Sequence, residues 1–363
     1  MKDILEKILK AGVTDVVKLH GDASYRAYYR AFLDNGETRI VMQMPSGKSS
    51  ASEEITNFKG VHKELPFINI QRFLSSLNLP VPSIYKYDDK NRLMILEDLG
   101  DGMFAKYVKD AKQPQPKADA PLAQAQEKWY KKAIDLLADV QRRTSLCAEK
   151  EKCVAMQRSF DATLLNWEFD HFREYLIEAR FGKPMESSDR KLFENATRKI
   201  TAEIVKMPYT FTHRDFQSRN LIVRSDNSLA MIDFQDALKG PYIYDLVALL
   251  RDSYVELDWG LVEKLIEYYC CHCEESAGGG QVACNDIIAH FHLVTLQRKM
   301  KDAGRFVYID RVKKNPNFLQ YIPTSLRYIK NAFEHANVLT PRQSSGQAYG
   351  LANVLKKYVP EFK

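Results

Sequence analysis

The chain has 363 residues, with 45% apolar and 28% charged side chains, a balance that excludes fibrous and disordered classes and suits a globular enzyme. The 53 basic and 47 acidic residues leave a net charge of +6, spread along the chain with no run of Lys and Arg. Composition therefore offers no signature of nucleic-acid or membrane binding and no obligate protein partner. No apolar run reaches the roughly 18 residues needed to cross a bilayer. The charged first ten residues do not form a signal peptide, so a cytoplasmic, reducing setting with free thiols is expected.

The pattern at 1–10 predicts a short amphipathic helix ending near Gly12. Strands are expected at 16–20, 25–32 and 38–44, the last two joined by the hairpin turn Asp34-Asn35-Gly36. A helix over 69–77, stopped by Pro80 and Pro82, precedes a second hairpin, 83–87 and 93–97. Residues 111–125 read as an exposed loop. Helices follow at 127–143, 164–181, 244–254, 261–271, 286–302 and 324–336. The expected fold is α+β and two-lobed, with a strand-rich lobe over 1–98 and a mainly helical lobe over 99–363, joined near 96–102. Cys270, Cys271 and Cys273, with His272, crowd one turn near a helix end, and only Cys284 follows. They lack the two separated ligand pairs of a structural zinc site and read as thiols.

The chemistry is carried by His213-Arg214-Asp215-Phe216-Gln217-Ser218-Arg219-Asn220 and by Asp233. Leu221-Ile222-Val223 and 229–232 read as two strands around a turn at 224–228. A hairpin places the start of its first strand beside the end of its second, so Asn220 and Asp233 should meet at its open end, with Asp215 just before. Phosphoryl transfer uses such a set. Asp233 and Asn220 can hold Mg²⁺ against the phosphates of ATP, and Asp215 can orient an acceptor hydroxyl and take its proton. His213 reads as a brace for the loop. A protein-kinase activation segment is missing: Asp245 follows closely on Asp233, no Ala-Pro-Glu appears, and Gln235 stands where Asp-Phe-Gly has glycine. A small acceptor fits better than a protein.

These stretches resemble the aminoglycoside phosphotransferase and choline kinase superfamily. Gly21-Asp22-Ala23-Ser24-Tyr25-Arg26, Ile95-Leu96-Glu97-Asp98-Leu99-Gly100, Ile232-Asp233-Phe234-Gln235-Asp236-Ala237 and Leu296-Gln297-Arg298 are most similar to kinases that phosphorylate the anomeric hydroxyl of N-acetylmuramate and N-acetylglucosamine in cell-wall recycling. The resemblance implies a protein-kinase-like fold with ATP between the lobes. The backbone of Glu97 and Leu99 would hold the adenine and the 21–24 loop would cover the phosphates. Ser24 can donate to phosphate or serve the turn. The third strand, Ile40-Val41-Met42-Gln43-Met44, lacks the lysine that many relatives place there. Lys48 either reaches the phosphates or stays on the surface. Arg251 and Glu168 are readable as sugar contacts or as ion pairs between helices. Asp245 reads as an anchor for the loop. The basic stretch 296–314 favours a neutral or anionic acceptor, such as an amino sugar, over aminoglycoside, choline or homoserine. A nucleotide-binding module without turnover remains the alternative of another class.

Overall fold

The computed structural model describes residues 1–19, 26–45, 64–109, 122–276, 284–335 and 345–362. Helix α1 (Lys2–Leu9) ends where Lys10 turns left-handed at φ 54°. Strands β1 (Val13–Lys18), β2 (Ala27–Leu33) and β3 (Thr38–Gln43), helix α2 (Pro66–Ser76), and strands β4 (Ile84–Asp88) and β5 (Leu93–Glu97) follow. The strands form one antiparallel sheet in the order β1-β2-β3-β5-β4. Gly36, at φ 82°, supplies the left-handed residue of the β2–β3 turn.

Strand alternation sorts this sheet into two faces. Ala31, Leu33, Val41, Leu93 and Ile95 bury against Leu5 and Ile8 of α1. Met42, Met94 and Leu96, with Tyr28, Ile40 and Met44, face the opposite way and join the main core, which continues into the helical region. One core thus runs beneath the cleft, and α1 covers the outer face of the sheet.

Beyond the sheet lie α3 (Phe104–Lys109), α4 (Leu122–Leu146), α5 (Val154–Gln157), α6 (Ala162–Phe172) and α7 (Ser187–Ile204). Two small antiparallel pairs come next: β6 (Tyr209–Thr212) with β9 (Leu238–Pro241), and the hairpin β7 (Leu221–Val223) with β8 (Leu229–Met231). Helices α8 (Tyr244–Leu250), α9 (Trp259–Ser276), α10 (Cys284–Lys313), α11 (Ile322–His335) and α12 (Ser345–Tyr358) complete the chain. The antiparallel-sheet region followed by a mainly helical region is the expected α+β architecture.

Several expectations needed correction. The loop expected over 111–125 lies mostly outside the described residues, and its last part already belongs to α4. The helix expected over 164–181 changes to a π-helical turn at Arg173–Ala179. The one expected over 244–254 stops at Leu250, because Asp252 is used to bond the loop before β7. Helix α10 runs well past 302, through Gly304, which reads in sequence as a helix weakener. Helices α7 and α12 and the β6–β9 pair were not anticipated. For α7 a signal existed, since Phe193, Ala196, Thr197, Thr201 and Ile204 share one buried face.

Gly304 has a packing reason. A Cβ there would lie 2.7 Å from the Phe172 Cα and 3.0 Å from the His171 carbonyl oxygen, so α10 crosses α6 at backbone contact. This crossing sets the α10 residues that reach the site. Gly304→Ala should force the helices apart and lower stability by about 1–3 kcal/mol. Urea unfolding measures this, and an unchanged midpoint would show that the crossing relaxes freely.

Candidate active site

The β7–β8 register pairs Leu221 with Met231 and Val223 with Leu229. Asn220 therefore precedes the first strand just where Ile232 and Asp233 leave the second. The Ile232 N–H donates to the Asn220 carbonyl at 3.0 Å, and the Asn220 side-chain amide donates to the Asp215 carbonyl at 2.9 Å. Asp215, Asn220 and Asp233 are thus brought to one place, at the open end of the hairpin. The Asn220 amide nitrogen is occupied by this bond, which leaves its Oδ1 for another partner.

The loop 213–220 has no regular structure, so its backbone donors need side-chain partners. Asp245, at the start of α8, accepts from the His213 and Arg214 N–H groups at 2.6 and 3.0 Å. Asp252 accepts from the Ser218 N–H at 2.9 Å and from the Ser218 hydroxyl. Arg214 sits at φ 72°, a conformation that costs a bulky side chain on the order of 1–3 kcal/mol. It is held there from three sides. Its N–H goes to Asp245, its carbonyl accepts from Arg298 Nη1, and its guanidinium donates to the buried Glu168 carboxylate at 3.2 Å. Gln297 donates to the other Glu168 oxygen at 2.5 Å.

Charge is arranged unevenly around the site. Burial works to raise the Asp215 carboxyl, but the positive charges of Lys301, Arg298 and Arg214 outweigh it and hold the group below the usual carboxylate range. Arg298 Nη2 lies 3.3 Å from Asp215 Oδ1. Asp233 shifts the other way, up to about 6, through its depth in the cleft and the neighbouring charges of Asp215 and Asp236. Its side chain keeps 43% of its surface open. Gln235, which departs from the kinase pattern, donates one amide to both Asp233 and Asp236 at 2.9 Å. Arg158 ties down the backbone beneath, donating to the carbonyls of Gln235 and Ala237. Asp233 and Asn220 are the residues here that could offer oxygens to a hard divalent cation. His213 is buried and lowered to about 4, chiefly by desolvation, so it is neutral near pH 7 and braces Ile232 through Nε2 at 3.0 Å.

The remaining candidates fall elsewhere. Glu97 and Leu99 stand at the end of β5 and just beyond. The Glu97 N–H is taken by the Ser83 carbonyl at 2.9 Å, so only its carbonyl is left for a ligand. Ser24 and Lys48 lie outside the described residues. Glu168 is turned inward to Arg214 and Gln297, with its side chain closed to solvent, and takes the ion-pair alternative rather than a sugar contact. Arg251 bonds Asn331 at 2.6 Å and lies over the Trp259 ring at 4.4 Å, pinning the end of α8 to α9 and α11. It too takes the structural alternative. Cys270 is buried and Cys271 exposed on α9, while the side chains of Cys273 and Cys284 lie outside the described residues. Arg298 and Lys301 were not singled out individually, although both lie in the basic stretch that drew attention. What marks them is their spacing of three on α10, which puts them on one face.

Removing the Asp245 brace should expose the cost of the loop. Asp245→Ala leaves two buried N–H groups without an acceptor and should lower stability by roughly 3 kcal/mol, measured by urea unfolding. A shift below a few tenths would mean that the loop does not depend on this carboxylate.

Comparison with known proteins places the chain in a family. The chain is 24% identical over 341 residues to the N-acetylmuramate/N-acetylglucosamine kinase of Neisseria meningitidis, covering 94% of this chain and 92% of that protein. Its fold matches the choline kinase LicA of Streptococcus pneumoniae with TM-score 0.58 at 15% identity, covering 92% of this chain and 96% of that one. An ADP-bound aminoglycoside phosphotransferase, APH(2'')-Ib, matches with TM-score 0.54 at 14% identity, covering 93% and 98%. The model of the phosphotransferase enzyme family APH matches residues 15–281, and the chain belongs to that family.

Proposed function

We propose that this protein is an ATP- and Mg²⁺-dependent kinase that phosphorylates an N-acetylated amino sugar on its anomeric hydroxyl. The observation that carries the reading is the meeting of Asp215, Asn220 and Asp233 at the open end of the β7–β8 hairpin. Asp215 accepts a hydrogen bond from the acceptor hydroxyl and turns its oxygen toward the γ-phosphorus. Asp233 and Asn220 hold the metal, which when bound neutralises the triphosphate. Arg298 fixes the Asp215 carboxylate from behind. A carboxylate held this far down is a weak base. An anomeric hydroxyl is more acidic than other sugar hydroxyls, because the ring oxygen withdraws electrons from the same carbon, so it needs less help from the base. The cytoplasm, where ATP is abundant, is the setting this reading implies. Among the described residues, no helix is long and apolar enough to cross a membrane.

The side of α10 that begins beside Asp215 supports a sugar. Along α10, Lys301, Arg305 and Tyr308 follow Arg298 on one helix side. Tyr308 packs against His171 and Tyr175 at 5.2 and 5.1 Å, and His171 stacks on Trp167 at 5.2 Å. Aromatic walls suit the apolar faces of a sugar, and Lys301 and Arg305 suit the carboxylate of N-acetylmuramate. They would repel a polycationic aminoglycoside. The Neisseria relative is named for N-acetylmuramate and N-acetylglucosamine, which agrees.

ADP release with Mg-ATP across N-acetylmuramate, N-acetylglucosamine, an aminoglycoside and choline tests the reading. Turnover is expected with the N-acetyl sugars. Release only with choline or the aminoglycoside would contradict it. Asp215→Asn should reduce turnover about 10²–10⁴-fold while ATP still binds. Near-normal turnover would remove Asp215 from the role. Because a proton on Asp233 competes with the metal, Mg²⁺ affinity of the nucleotide-free protein should weaken as pH falls through about 6. Calorimetric titration would show this, and a flat profile from pH 5 to 8 would contradict Asp233 as a ligand.

A further inference from the structure

Kinases of this architecture usually meet the ATP phosphates with a lysine on the third strand of the sheet. Here the side of β3 that faces the main core carries Ile40 and Met42, continued by Met44, and all three are apolar. Gln43 points to the other face, where its Oε1 lies 3.4 Å from the Tyr29 hydroxyl. The cations facing the cleft come instead from β2. In that strand Tyr28 packs toward the main core, so Arg30, and Arg26 just before the strand, share its side.

These two arginines have different work. Arg30 makes a forked pair with Asp98 at 2.6 and 3.1 Å and reaches Asp101 at 2.9 and 3.0 Å. It fastens the sheet to the segment between the lobes. Arg26 reaches across the cleft. Its Nη1 lies 3.9 Å from Asp233 Oδ1, and it also hydrogen-bonds the Tyr28 side chain. Its side chain is only 12% exposed. It stands just after the 21–24 loop expected to cover the phosphates, on the side of the cleft opposite the metal-ligand candidates.

We propose that Arg26 is the phosphate-binding cation of this kinase, performing from the edge of β2 the role that a third-strand lysine performs elsewhere. The proposal rests on the ATP reading above. In the nucleotide-free protein Arg26 pairs loosely with Asp233. With Mg-ATP bound, Asp233 would hold the metal and the guanidinium would meet phosphate oxygens, which its planar fork can engage with two parallel N–H bonds. No covalent step is involved.

The test is equilibrium binding rather than turnover. Affinities for ATP, ADP and adenosine, each with Mg²⁺, are measured on the wild type, Arg26→Met and Arg26→Lys. Arg26→Met should weaken ATP and ADP by roughly 10- to 100-fold, the usual worth of charge-assisted bonds, and leave adenosine within about two-fold. Arg26→Lys should fall between, since it keeps the charge without the fork. Equal losses for all three ligands, or no loss for ATP, would overturn the proposal and leave Arg26 a structural partner of Asp233. If Arg26→Met loses its folded circular dichroism signal, Arg26→Gln, which keeps a hydrogen-bonding amide near Tyr28, carries the same comparison. A wild type that binds ATP but phosphorylates no amino sugar would sink the acceptor reading and leave this proposal standing. A wild type that binds neither nucleotide would sink both.

Discussion

Two buried carboxylates hold the loop that carries the chemistry. Asp245 takes the N–H groups of His213 and Arg214, and Asp252 takes the N–H and hydroxyl of Ser218. Without them a stretch of backbone with no helix or sheet of its own would lie buried with its donors unpaired, which costs on the order of 1–3 kcal/mol for each group. The anchors belong to the segment around α8, and that helix ends at Leu250, leaving Asp252 outside helical geometry to reach the loop. The same constraint explains why Arg214 keeps a left-handed backbone. Glu168, Asp245 and Arg298 over-determine it. Strain placed one residue before Asp215 is supported by packing from α6, α8 and α10.

The charges around that loop divide the cleft into two sides. Behind Asp215 stand Arg298 and Lys301, which keep it ionised. Across the hairpin end, Asp233 and Asp236 share the amide of Gln235 and wait, in this account, for a cation. A carboxylate kept charged and a carboxylate pair kept close have opposite electrostatic needs. The hairpin satisfies both by setting Asp215 toward α10 and Asp233 toward the strand lobe. Arg26, just before β2, faces Asp233 from the strand lobe.

Much of this was legible in the sequence, and for identifiable reasons. The five strands of the N-terminal sheet are short and bounded by turn residues, so local pattern sufficed. The meeting of Asn220 with Asp233 followed from the geometry of a hairpin, which is also local. What could not be read was any choice between partners distant in the chain. Glu168 and Arg251 are chemically able either to bind a sugar or to pair internally, and only packing shows that Glu168 meets Arg214 and Gln297 while Arg251 lies against Trp259. Helix α10 runs past the expected 302 to Lys313, through Gly304, whose lack of a side chain serves the α6 crossing. The β6–β9 pair joins segments separated by the entire hairpin, beyond the reach of periodicity.

The proposed reaction delivers phosphate to the anomeric oxygen of an N-acetyl amino sugar. Phosphorus and proton NMR of the product formed from N-acetylglucosamine and Mg-ATP tests it most directly. Phosphorus coupled to the anomeric proton, with loss of the reducing end, is expected. Phosphate on any other oxygen, with the reducing end intact, would contradict it.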